Sequence, residues 1–144
     1  QATIYYDNQG SGLASMTKRK LDHFDIEFDH EENIETETLD NYCKDQDIDE
    51  IDLLKIDVEG HELGVLKGSK DMISSRNIRF ITFEFGGASI DTRTYFKDYY
   101  AFFDEYDYDT YRVLPSADLH RIDAYSELDE KFRTTIYIAA RDDI

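Results

Sequence analysis

Residues 51–69, IDLLKIDVEGHELGVLKGS, constrain the fold more than any other stretch of the chain. The run from Ile51 to Val58 is rich in apolar residues and reads as a β-strand covered on both faces. It ends in two acids, Asp57 and Glu59, followed by Gly60. Glycine permits a tight turn. Beyond it the apolar spacing changes to a helical one over about 61–76, with Leu63, Leu66 and Ile73 on one face. A strand that turns directly into a helix calls for a β-α-β arrangement, and this sets the reading of the rest.

Downstream, IRFITFEFGG (78–87) is a second buried-type strand ending in Gly-Gly. In residues 91–106, Phe96, Tyr99, Tyr100 and Phe103 recur at i, i+3, i+4, i+7 and predict a helix whose aromatic stripe is mostly core. Strands follow at 108–115 and 133–141, with a shorter one at 119–125. Residues 51–144 thus read as a β-α-β-α-β-β core. Such alternation predicts a mostly parallel α/β sheet with right-handed crossovers. The short connection between the final strands predicts an antiparallel C-terminal pair at the sheet edge.

Residues 1–50 precede that core. ATIYYD (2–7) is a strand and NQGSG (8–12) a turn. LASMTKRKL (13–21) is the most basic stretch, a loop or a short helix. Alternation from Phe24 suggests another strand, followed by acidic residues 29–37 as a solvated face. TLDNYCKD is a helical turn capped by Thr38. GSGLAS (10–15) approaches a dinucleotide fingerprint but has Ser15 at the third glycine position and no following strand-helix-strand unit, so it reads as a loop.

Composition narrows the partners. The 144 residues suffice for one domain with a core, 40% of them hydrophobic. With 33 acids against 16 Lys and Arg, the net charge is −17. That field disfavours nucleic acid and anionic membrane surfaces. A single cysteine, Cys43, excludes an internal disulfide and reads as a small buried residue. No apolar run approaches the ~18 residues of a membrane span, and no signal-peptide pattern is visible. The expected location is cytoplasmic.

Ligands of open α/β sheets bind beyond the carboxyl ends of the strands, where Asp57, Glu59 and, on the next strand, Glu84 fall. Neighbouring strands lie about 4.8 Å apart, so Asp57 and Glu84 can approach each other. Crowded carboxylates raise one another's proton affinity, which suits a general base. The spacing of Asp57 and Glu59 places both on one face if the strand continues that far. These three are the candidate catalytic residues. His61, directly after the turn, is a candidate for orienting substrate. Lys55 pairs with an acid or extends to water.

The stretch Lys55-Ile56-Asp57-Val58-Glu59-Gly60, then Glu62, Leu63, Val65, Leu66, Lys67 and Gly68, resembles the FkbM-type methyltransferases, whose hallmark is K-I-D-V-E-G followed by E-L-x-V-L-K-G. SGLAS (11–15), TLDNYC (38–43), FEFGG (83–87) and IDTRTYFKDYYAFF (90–103) add to the likeness. The resemblance implies a class I, Rossmann-like fold, S-adenosylmethionine as cofactor, and methylation of a hydroxyl on a sugar or natural product. The family's Gly-rich cofactor loop and ribose-holding acid are not found here. The chain therefore reads as the C-terminal portion of one such domain, a partial Rossmann-like sheet. It is expected to bind the cofactor weakly, to be inactive alone, and to form homo-oligomers through an exposed sheet edge. Two other readings stay open: a metal-dependent hydrolase or cation site using the same three acids as oxygen ligands, and a non-catalytic acidic interaction module.

Overall fold

The computed structural model describes residues 1–144. Two strands, β1 (Ala2–Tyr6) and β2 (His30–Ile34), form an antiparallel ribbon in which Ala2 faces Ile34 and Tyr6 faces His30. The strand suggested from Phe24 begins instead at His30. Residues 22–24 make a single 3-10 turn, and Phe28 is buried in the loop that follows. The acidic residues of β2 are exposed, as a solvated face should be.

The main sheet contains β3 (Ile51–Ile56), β4 (Ile78–Phe85), β5 (Tyr108–Val113), β6 (Leu119–Arg121) and β7 (Thr135–Arg141), in the order β3-β4-β7-β5-β6. Only β3 and β4 are parallel neighbours; β4–β7, β7–β5 and β5–β6 are antiparallel. The expectation of a mostly parallel sheet is therefore corrected. β4 and β5 do run in the same direction, but β7 returns between them. One inserted strand makes both of its contacts antiparallel, so the β5–β7 pair lies inside the sheet, while the antiparallel pair at the C-terminal edge is β5–β6. The edge positions go to β3 and β6.

The helices are short. α1 (Leu39–Asp45) starts at Thr38, whose Oγ1 accepts from the Asn41 N–H at 3.3 Å. The predicted helix over 61–76 is two pieces, α2 (Glu62–Lys67) and α3 (Lys70–Ser74). They part at Gly68, whose carbonyl accepts from the Asp40 N–H at 3.0 Å, while the Asp40 carboxylate accepts from the N–H groups of Asp71 and Met72 at 3.0 and 3.1 Å. α1 thus fixes the break. α4 (Ala88–Thr92) and α5 (Phe96–Glu105) link β4 to β5. None of these helices is long and apolar enough to cross a membrane.

The core lies on one face of the sheet. Ile81, Phe83 and Phe85 alternate inward from β4 and meet the aromatic stripe of α5. Phe83 stacks on Tyr99 at 5.0 Å and on Tyr137 of β7 at 5.6 Å between ring centroids. Cys43 is buried in the same cluster. The other face is only partly covered. Leu53 and Lys55 of β3 lie level with Phe80 and Thr82 of β4, and Leu53 is 60% exposed. The expectation that residues 51–58 are covered on both faces fails because no element packs over the Leu53 face of β3.

Candidate active site at the β3–β4 carboxyl ends

β3 stops at Ile56, and the chain turns through backbone conformations that L-residues seldom adopt. Glu59 has φ +50° and Gly60 φ +98°. A Cβ at position 60 would stand 2.9 Å from the Ala88 carbonyl oxygen and 3.0 Å from Thr92 Cγ2, so position 60 requires glycine for space as well as for φ. The turn is organised by Glu62, 2% exposed, whose Oε1 accepts from the N–H groups of Gly60 at 3.1 Å and Val58 at 3.3 Å. Tyr99 donates its hydroxyl to Glu62 Oε2 at 3.4 Å. Burial, and then the Glu62 charge, push the Tyr99 phenol well above its ordinary range.

Two cavities lie against this turn. One, of about 580 Å³, is lined by Asp57, His61, Glu37 and apolar side chains that include Ile4, Ile34 and Val65. The other, of about 550 Å³, holds Glu59, Glu84, Glu62 and Arg19 together with Phe24 and Phe132. Asp57 and Glu59 therefore do not share one face. The strand does not continue to residue 59, and the left-handed turn sends the two side chains to opposite sides. Asp57 is 44% exposed and pairs with Lys55 at 2.9 Å, the partner expected for that lysine.

Glu84 does approach Asp57 as the register requires, since Ile56 lies opposite Phe83. Burial raises the proton affinity of the half-buried Glu84, and the Asp57 and Glu62 charges raise it further against the pull of Lys55. No hydrogen bond or ion pair engages its carboxylate. Glu59 is also pushed up by burial; Arg19 opposes this, and Glu84, Asp57 and Glu62 add to it. His61 meets Thr17 Oγ1 through Nε2 at 3.0 Å, and burial pushes its pKa below the ordinary value against the pull of Glu62.

Sequence reasoning did not single out Arg19. Its guanidinium lies 2.7 Å from Glu59 and 3.3 Å from Asp91. The available signal was its place in the most basic stretch of a strongly acidic chain, where a counter-ion for crowded carboxylates is most needed. Glu62 was visible only as part of a motif. No group of three or more His, Cys, Asp or Glu side chains is arranged to hold a metal ion, so the cation reading gains no ligand set.

A family model described as "Methyltransferase FkbM domain" matches residues 2–110, from β1 into β5, and includes every residue of the turn together with Asp57, Glu59, Glu62 and Glu84. The chain is also 33% identical over 76 residues to "2-O-methyltransferase NoeI" of Sinorhizobium fredii (strain NBRC 101917 / NGR234). That alignment covers 52% of this chain and 30% of the curated relative, so the chain matches under a third of that protein's length. No solved structure matches it. With three quarters of its length matched around the acidic turn, the chain belongs to the FkbM methyltransferase domain family.

Proposed function

We propose that this chain carries the acceptor-activating part of an S-adenosylmethionine-dependent O-methyltransferase acting on a hydroxyl of a sugar or natural product. The observation that carries the reading is the Glu84 carboxylate: half-buried, unpaired, raised in proton affinity, and open to a cavity at the end of a parallel strand. A hydroxyl is a weak nucleophile until its proton leaves, and a base close to neutrality serves best. Glu84 takes that proton. Phe24 and Phe132 offer ring faces for the apolar C–H surface of a sugar, while the carboxylates accept from its hydroxyls. The name of the relative, a 2-O-methyltransferase, supports oxygen as the acceptor atom.

When bound, S-adenosylmethionine supplies an electrophilic methyl group on a sulfonium. The cavity on the Asp57 side suits such a molecule in its chemistry: apolar walls from Ile4, Ile34 and Val65 for a purine, and the Asp57 and Glu37 carboxylates for ribose hydroxyls or a positive charge. The reading includes weak cofactor binding by residues 1–144 taken alone.

Two measurements test this. In the full-length gene product, Glu84→Gln is expected to lower kcat for methyl transfer to a panel of glycosides by about 10²- to 10⁴-fold, the usual worth of a general base, with cofactor affinity unchanged. An unchanged kcat overturns the assignment of the base. Calorimetric titration of residues 1–144 with S-adenosylmethionine is expected to show no tight binding, and a submicromolar Kd overturns that part.

A further inference from the structure

Residues 13–20 form neither helix nor strand, yet they are pinned across the acidic turn. Ser15 exchanges backbone hydrogen bonds with Tyr5 of β1 at 2.8 and 3.0 Å, and its Oγ donates to the Glu59 carbonyl at 2.8 Å. Thr17 Oγ1 contacts His61 Nε2 at 3.0 Å. Arg19 Nη1 donates to Glu59 Oε2 at 2.7 Å, and its Nε donates to Asp91 Oδ2 at 3.3 Å. The Lys20 N–H reaches Asp91 Oδ1 at 3.5 Å. Side chains of one short segment thus hold the strand-end turn and α4, which lie 40 and 72 residues further along the chain.

Arg19 is the centre of this arrangement. Its side chain is 9% exposed, unusual for a group that normally keeps its charge in water. A planar guanidinium can serve two carboxylates in different directions at once, which a lysine ammonium does poorly. Both ends of Glu59 are held, the carbonyl by Ser15 and the carboxylate by Arg19, at a residue whose backbone is in the left-handed region. Glu84, lining the same cavity, receives no such partner.

We propose that Arg19 is a positioning residue that holds Glu59 ionised and fixed against its acidic neighbours, pins residues 15–20 across the turn, and so leaves Glu84 as the carboxylate free to take the acceptor's proton. The final clause rests on the proposed methyl transfer; the rest stands without it. The charges facing Glu59 are Arg19 from residues 13–20, Glu84 from β4, Glu62 from α2 and Asp57 from its own turn, with Asp91 of α4 acting through Arg19. Burial and three of the four direct neighbours favour the protonated form of Glu59, and Arg19 opposes them.

The test needs neither cofactor nor acceptor: a carboxyl 13C NMR titration of Glu59 with amide hydrogen exchange, on residues 1–144 and on the full-length product. In Arg19→Gln the Glu59 midpoint is expected to rise, and exchange of residues 15–20 to accelerate by about tenfold or more. Arg19→Lys is expected to keep the midpoint near that of the unmodified protein while recovering only part of the exchange protection. Asp91→Asn leaves the Arg19–Glu59 pair intact and is expected to move the midpoint down, which covers the case where Arg19→Gln does not fold. A Glu59 midpoint that stays put in Arg19→Gln, or in Asp91→Asn where the first variant is unfolded, overturns the inference. Loss of the methyl-transfer reading through the Glu84→Gln kinetics leaves these titrations unaffected, so the two failures are distinguishable.

Discussion

Glu84 of β4 and Gly60 of the neighbouring turn show how individual residues at one site are bound by opposite demands. Glu84 is held above the ordinary value of 4.5, so the folded chain keeps its proton more readily than the unfolded chain does. Its ionised form therefore opposes folding at neutral pH, and this cost disappears as pH falls through the raised value toward 4.5. Glu84→Gln is expected to raise Tm at pH 7, with the advantage over the unmodified chain shrinking as pH is lowered. A calorimetric scan against pH checks it, and a Tm that falls at pH 7 contradicts the assigned environment. A gain in stability with a loss of activity is the pattern of a functional group. Gly60 is the reverse case. Gly60→Ala combines φ +98° with a contact of 2.9 Å, and is expected to cost about 2 kcal/mol or more in urea unfolding. Asp57, Glu59 and Glu84 could be picked from the sequence because acids at strand ends stand out. Their division between two cavities could not, because it follows from the positive φ angles of Glu59 and Gly60.

The elements owe their limits to contacts between them. The apolar spacing over 61–76 fits one helix, and nothing local forbids it. The break after Lys67 arises because Asp40, from α1, offers both its backbone N–H and its carboxylate there. Asp40→Ala is expected to leave the N–H groups of Asp71 and Met72 without their acceptor and to destabilise the chain by about 1 kcal/mol. Chemical denaturation measures this, and faster amide exchange confined to α3 is the matching local readout. A global loss well beyond that size would show that Asp40 supports more than a helix start. β3 is a second instance. Its apolar run reads like a central strand, but covering a second face takes a packed neighbour, and Leu53 has none within these residues.

At the scale of the molecule, the outer edge of β3 and the half-covered face beside it favour self-association, and we expect a second copy to pair there. The net charge of −17 opposes that contact. Screening by salt reduces repulsion beyond a Debye length of about 10 Å at 0.1 M. The dimer fraction in light scattering is therefore expected to rise with ionic strength. A sharp monomer at high protein concentration and high salt rules the pairing out.

Local chemistry along the chain was enough to locate the acidic turn, the Thr38 cap, the aromatic face of α5 and most strand positions. Each depends on neighbours a few residues apart, through glycine, capping groups or side-chain period. The insertion of β7 between β4 and β5, and the reach of Arg19 to Glu59 and Asp91, came only from the folded arrangement. Strand order is a competition among whole surfaces for partners, and an ion pair between distant segments exists only once those surfaces have met. Neither leaves a periodic mark on the residues involved.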